Sequence, residues 1–495
     1  MVELKEELPD GQLVNADIAP SGLEARTWST WNIAALWVGM SVCIPTYMLA
    51  ASMIEAGMNW WQALLTILVG NAIVLVPMVV NAHAGTRYGI PFPVYARASF
   101  GITGAHVPSL LRSVVACGWF GIQTWIGGLA FNVLIGIVWS GWETLGGDWT
   151  FMGYGLSQYL SFLLFWVLNL YFVWAGTESI RLLETLAAPF LIVMGLALLA
   201  WAVSAVGGMG RILTESDALM QSTQERSFLE FQLDLFIPWV TAMVGYWATL
   251  SLNIPDFTRY AKSQGDQARG QAIGLLTTMP LFSFIGVAVT SATVILFGEA
   301  IWNPVDLVAR LTSEGNRPLL GFVAMFVIVV ATLSTNIAAN VVAPANSFSN
   351  LAPHKISFRV GGLIAGLIGI LIFPWRLLDA YQTWLITYSG LLGAVGGVIV
   401  CDYVFVRRGV LDLAGLYGED GPYRYRNGVN GRAVVALGAG VMVALLGLAH
   451  PAIAFLFNGA WFSGALVSSV LYYLLMRPTA TARPVSVGST LGEFT

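Results

Sequence analysis

Apolar positions in this chain run on for about the 20 residues that a helix needs to cross a bilayer, and polar positions gather in the short stretches between. Runs of that length lie near residues 29–53, 59–84, 107–139, 157–175, 179–206, 231–254, 269–297, 321–345, 358–374, 380–403, 432–449 and 452–477. The pattern predicts an all-α polytopic membrane protein of twelve transmembrane helices, or eleven if a tightly joined pair around Trp375 or His450 counts once. One run departs from plain apolarity. Residues 331–340, ATLSTNIAAN, put two hydroxyls and two carboxamides into a segment otherwise fit for lipid, where an unpaired polar group is costly. At about 100° per helical residue, Ser334 and Thr335 flank the face of Ala331, while Asn336 and Asn340 fall on roughly the opposite face. Hydroxyls and main-chain carbonyls suit a small hard cation, and carboxamides, which donate and accept, suit a neutral amide-bearing solute. Two such surfaces on one helix are the pattern of a coupled carrier.

Composition strengthens the membrane reading. Of 495 residues, 57% are hydrophobic and 10% charged, with mean hydropathy +0.73, against about a quarter charged in a soluble domain. With the amino terminus inside, only Arg211, Arg226, Arg310, Arg317 and Arg376 of the 23 Lys and Arg residues fall outside, as the positive-inside rule requires. Both termini then face the cytoplasm, and the lipid partner is the cell (inner or plasma) membrane. Residues 1–28 carry Glu3, Glu6, Glu7 and Asp10 without an apolar core, so they read as a cytoplasmic tail rather than a signal peptide. Cys43, Cys117 and Cys401 fall in predicted spans and give no disulfide framework. A net charge of -4 offers no basis for a nucleic-acid partner.

Carriers built from inverted repeats place their sites where helices are interrupted near the midplane, because unwound backbone frees carbonyls and amides. In the first span, Gly39 and Pro45 bracket such a stretch. The sixth span offers a counterpart in VGYWATLSLNIPDF, with Gly245 beside Tyr246 and Trp247 and Pro255 further on. Breaks in helices one and six fit two five-helix halves of opposite orientation. Acids and bases are nearly absent from the middles of the spans, with Glu184 the nearest exception. Proton-coupled carriers commonly relay through intramembrane acids, so their scarcity favours a neutral solute and a metal cation held by dipoles. In the third span, Trp119 and Gln123 stand at i and i+4 and project from one face. An indole can stack on a planar heterocycle while a carboxamide pairs with its edge, and Trp247 could form the opposite wall.

At these residues the chain resembles the nucleobase cation symporter family 1, which includes hydantoin, allantoin, uracil and cytosine carriers of the leucine-transporter-type fold. The likeness runs through RTWSTWNIAALWVG, GTRYGIPFPVYARASFGITGAHVPSLLR, WFGIQTW, LNIPDFTRY, STNIAANVVAPA and CDYVFVRRGVLDLAGLY, nearly the whole chain. It is nearest in feel to the bacterial allantoin permeases, and the helix-eight motif also matches the sodium-coupled hydantoin carrier. The resemblance implies a cytoplasmic tail 1–28, a first five-helix repeat 29–206, an inverted second repeat 231–403, a cytoplasmic loop 404–431, two further helices in 432–477 and a cytoplasmic tail 478–495. It implies that the solute ring lies between Trp119 and Trp247, with Gln123 and Asn340 as its hydrogen-bonding partners and Asn336 close by. It implies a sodium site made of the main-chain carbonyls of Gly39, Val42 and Ala331 and the hydroxyls of Ser334 and Thr335. Gly39 stands where the hydantoin carrier has alanine. Two departures bear on the solute: Cys43 replaces a carboxamide common in helix one, and Tyr246 replaces a glycine beside the pocket tryptophan.

The expected function is therefore sodium-coupled uptake of a neutral amide heterocycle, allantoin or a hydantoin, by alternating access. The alternative is a uracil or other nucleobase permease, with protons as a further choice of coupling ion. No cofactor is expected beyond the coupling ion, and the carrier is expected to be monomeric. The glycine-rich stretch from Ser389 to Gly397 is the expected external gate, unless its glycines serve close helix packing. A membrane enzyme would need a metal-binding His cluster or a nucleophile beside a base, and the sequence offers neither. A channel fits the composition, but not a helix with two polar faces.

Overall fold

The computed structural model describes residues 1–4, 13–14, 18–175, 177–219, 226–315, 318–351 and 355–477. Residues 5–12 and 15–17 of the amino-terminal tail, the side chain of Glu184 and the whole expected tail 478–495 lie outside the described residues. The first span is α1 (Thr30–Ser41) and α2 (Ile44–Glu55), followed by α3 (Trp60–Tyr88), the short α4 (Phe92–Phe100) and α5 (His106–Val138). A two-residue hairpin, β1 (Thr150–Phe151) and β2 (Tyr154–Gly155), leads into α6 (Leu156–Ala175), α7 (Thr177–Val206) and α8 (Met209–Leu219). Then come α9 (Phe228–Phe231), α10 (Ile237–Asn253), α11 (Pro255–Thr258), α12 (Gln264–Phe297) and α13 (Pro304–Gly315). The eighth span is α14 (Pro318–Asn340), continued by α15 (Val342–Leu351), α16 (Phe358–Leu371), α17 (Pro374–Asp379) and α18 (Tyr381–Cys401). The chain ends in α19 (Gly431–Leu446), α20 (Ala454–Asn458) and α21 (Ala460–Met476).

Among the described residues, eight helices are long and apolar enough to cross a membrane, or up to ten if each bent pair is one span. Two shorter apolar helices, Arg359–Leu371 and Gly431–Leu446, stand where the sequence places the ninth and eleventh spans. Twelve crossings require both of these to span as well.

The first span is broken as its Gly39–Pro45 stretch suggests. Its halves meet at 60°. The bend falls on Val42 (φ -85°, ψ 82°) and Cys43 (φ -150°, ψ 159°), and Pro45 sits in the first turn of α2, where its missing N–H costs nothing. Gly39 itself remains inside α1.

The sixth span differs from expectation. Gly245 does not interrupt it, and the segment Phe228–Asn253 is one continuous span with a π-helical turn at Gln232–Phe236 near its start. The reason is packing: a Cβ at Gly245 would stand 2.8 Å from the Leu385 carbonyl of α18, so this glycine serves close helix approach and not unwinding. Glycines of the expected gate in 389–397 pack in the same way. A Cβ at Gly393 would meet the Trp461 carbonyl at 2.6 Å, and the stretch lies mid-helix, pressed on α21.

Caps and buried polar ties fix the ends of these helices. Asn59 and Gln62 form a capping box at the start of α3, and Ser263 caps α12, each satisfying amides that the first turn leaves free. Asp266, in the first turn of α12, accepts from both the N–H (2.9 Å) and the hydroxyl (2.7 Å) of Thr30, so α1 and α12 start side by side. On the side the positive-inside rule assigns to the cytoplasm, buried Asp402 pairs with Arg407 at 2.7 Å. The same carboxylate accepts from Ser99 (3.0 Å) and Tyr472 (2.8 Å), joining α4 and α21 to the end of α18.

Candidate functional site

The break in the first span creates the site's first resource, backbone oxygens without helical donors. In an unbroken helix the Cys43 and Thr46 amides would bond the Gly39 and Val42 carbonyls. Here Cys43 N–H turns to Ser41 O and Thr46 N–H to Cys43 O, both at 3.1 Å. The second resource is on α14. Ser334 is buried, and the Thr335 hydroxyl donates back to the Ala331 carbonyl at 3.0 Å, as helical threonines often do. Lone pairs on both oxygens remain for a cation. Ser41 and Thr332 add two buried hydroxyls without hydrogen-bond partners.

Aromatic side chains of α5, α10 and α18 converge on one another. Trp119 meets Tyr246 edge-to-face at 5.2 Å, Trp384 at 4.8 Å and Tyr381 at 6.1 Å, and its indole N–H donates to the Tyr388 hydroxyl at 3.2 Å. Trp247 meets Tyr246 at 4.8 Å and Trp37 at 5.1 Å, and its N–H donates to Asn71 Oδ1 at 3.0 Å. The two indoles expected to clasp the solute are therefore bridged by the edge of the Tyr246 ring. That ring is fixed in turn: its hydroxyl lies 3.2 Å from the Cys43 sulfur and 3.0 Å from the Thr46 hydroxyl, which are 3.3 Å apart. Trp119, Gln123, Tyr246, Trp247 and Asn340 are 5, 4, 7, 3 and 6% exposed, so these side chains are shielded from water.

The carboxamides divide into two kinds. Gln123 Oε1 is buried without a partner, a state that costs about 1–3 kcal/mol and that a donor from a solute would relieve. Asn336 is wholly engaged by the protein. Its amide donates to Phe120 O (3.2 Å), Thr124 Oγ1 (3.0 Å) and Asn169 Oδ1 (3.1 Å), and its oxygen accepts from Asn340 Nδ2 at 3.0 Å. It ties α14 to α5 and α6, and of this pair Asn340 keeps an unengaged end.

Several participants escape a reading of the sequence alone. Tyr381, Trp384 and Tyr388 form an aromatic stripe at i, i+3 and i+7 in YQTWLITY, a helical signal that was there to be read. Asn169 is a lone carboxamide in an apolar span, open to the same inference as Asn336. Thr46 gives no signal apart from its place after the break.

Residues 20–467 match the family model for permeases of cytosine/purines, uracil, thiamine and allantoin. The chain belongs to that permease family. Its family members include the allantoin permease of Bacillus subtilis, 39% identical over 480 residues and covering 96% of both chains. The purine-uracil permease NCS1 of Arabidopsis thaliana is 42% identical over 483 residues, 94% of this chain and 78% of the relative. In three dimensions the permease superposes on Mhp1, a nucleobase-cation-symport-1 family transporter, in its inward-facing conformation with TM-score 0.76 at 24% identity, covering 96% of each chain. The fold is thus the leucine-transporter-type fold of such carriers. Families of permeases carry solutes across membranes, and this member is a multi-pass transporter and not an enzyme.

Proposed function

We propose that this permease takes up a neutral amide heterocycle, allantoin or a hydantoin, together with sodium, by alternating access across the cell membrane with both termini inside. The observation that carries the solute half is the unpartnered Gln123 oxygen, buried one helical turn from Trp119 on α5. An uncharged ring bearing N–H and C=O groups completes those hydrogen bonds without bringing a charge into a dry site. The names of the relatives, an allantoin permease and a purine-uracil permease, fit that class. Gln123, Asn340 and Trp119 would hold the ring, Trp247 and Tyr246 would bound it, and Cys43 would set its fit through Tyr246.

Sodium is supported by the oxygen-only donor set at the break. The Gly39 and Val42 carbonyls have lost their helical donors, and Ala331, Ser334 and Thr335 supply further oxygen on α14. Hard cations take such ligands. Because α14 carries both the hydroxyl face and Asn340, ordering one ligand would favour the other, and linkage makes the effect reciprocal.

Uptake of radiolabelled allantoin, hydantoin and uracil into proteoliposomes, driven separately by a sodium gradient and a proton gradient, tests this reading. Saturable uptake that follows the sodium gradient is expected. Uptake that follows only protons would remove the sodium site, and preference for uracil would move the solute to the nucleobase class.

A further inference from the structure

The chain of carboxamides running from α6 to α14 has a direction, and that direction bears on which solutes can bind. Carboxamide ends are interchangeable in shape, so their orientation has to follow from their partners. Here two partners are main-chain carbonyls, which can only accept. Asn169 Nδ2 donates to Phe165 O at 2.8 Å, so its oxygen points the other way, towards Asn336. Asn336 Nδ2 faces Phe120 O, Asn169 Oδ1 and Thr124 Oγ1, and the Thr124 proton is already committed to Phe120 O at 2.6 Å. A flipped Asn336 would set its oxygen against three acceptors. Its oxygen must therefore face Asn340, which has to offer Nδ2 to it, as it does at 3.0 Å. The end of Asn340 left over is its oxygen.

We infer that Asn336, oriented by Asn169 and Phe120, is a positioning residue that presents Asn340 to the solute as a hydrogen-bond acceptor, so that the solute must bring N–H donors. Gln123 has no protein partner that fixes which of its ends faces the solute, so the demand for donors rests on Asn340. The inference rests on the transport reading above and narrows it: rings whose nitrogens are all alkylated are excluded, whatever their size.

An isomer pair separates donor count from bulk. Hydantoin methylated on both ring nitrogens has no N–H donor, and its isomer methylated twice on the ring carbon keeps both. Competition of each against labelled hydantoin on the purified permease should show the N-methylated isomer binding at least about tenfold more weakly than the C-methylated one, the scale of one buried acceptor left unmet. In Asn336→Leu the Asn340 carboxamide is free to turn over, and the ratio should fall towards one even though overall affinity drops. Equal binding of the two isomers to the unaltered protein would overturn the inference and leave the transport reading intact. An unchanged ratio in Asn336→Leu would reduce Asn336 to a purely structural role. Absence of binding by hydantoin, allantoin and uracil alike would overturn the transport reading, and this inference with it. The isomer comparison on the unaltered protein decides the acceptor assignment even if Asn336→Leu does not fold.

Discussion

The Cys43 sulfur and the Tyr246 hydroxyl lie 3.2 Å apart, and Thr46 closes a triangle with them. Three groups with one proton each can satisfy one another around such a ring, so Tyr246 offers the slot the edge of its ring and not its hydroxyl. Cys43 and Tyr246, the two positions at which the resemblance implies departures that bear on the solute, are thus a single unit, joining the break of the first span to the helix of Trp247.

On the proposed function, that unit is expected to set the size of the solute. Tyr246→Gly should remove the phenol from between the indoles and admit hydantoins with bulky carbon substituents that the unaltered permease rejects, as read by competition against labelled hydantoin. Cys43→Val breaks weak hydrogen bonds only, and should lower affinity by a few-fold to about tenfold, the usual worth of a neutral pair. A Tyr246→Gly variant with unchanged size selectivity would show that the ring does not bound the slot.

Trp119 should be the stacking partner. Stacking of a base on an aromatic ring is worth roughly 1–3 kcal/mol, so Trp119→Leu is expected to weaken solute binding by one to two decades while the protein still reaches the membrane. Gln123→Leu, which replaces an unpartnered polar group by an apolar one, should weaken binding yet leave thermal stability unchanged or raised.

The break in the first span was legible because a proline and a glycine within seven residues of each other can hardly sit in one regular helix. Gly245 carried the same signal and meant something else, since a glycine permits both unwinding and close approach. Only its neighbour, the Leu385 carbonyl, decides between them. Asn336 was ambiguous for the same reason. A carboxamide in an apolar span needs partners, and those that claim it, Phe120 and Asn169, are 216 and 167 residues away along the chain. Part of the polar inventory of the site, Gln123, Ser334, Thr335, Asn336 and Asn340, was therefore readable from sequence, whereas the division between groups that hold helices together and groups left for a solute required the packed structure.

Thr335→Ala should act on coupling. Removing its hydroxyl takes one oxygen from the proposed cation site, so the gain in solute affinity brought by sodium should shrink, from the about 5- to 150-fold typical of linked sites towards none. Affinity measured without sodium should change little. Equal losses with and without sodium would assign Thr335 to the helix alone, through its bond to Ala331.

Stability away from the site should depend on Arg407. Asp402 is buried and keeps its hydrogen bonds from Ser99 and Tyr472, but Arg407→Ala leaves its charge without a counterion. Breaking a buried pair from one side costs about 3–5 kcal/mol, so the unfolding temperature of the detergent-solubilised variant should fall clearly. Asp402→Asn, which removes the charge and retains an acceptor, should cost less.

The most direct measurement is a binding titration that reads tryptophan fluorescence of the purified permease, with allantoin, hydantoin or uracil added in sodium and again in potassium buffer. Trp119 and Trp247 lie against the proposed ring, so quenching should saturate with at least one of these solutes, at a markedly lower Kd in sodium. No saturable change with any of them, or the same Kd in both buffers, would contradict a site in which α14 holds a cation on one face and a neutral ring on the other.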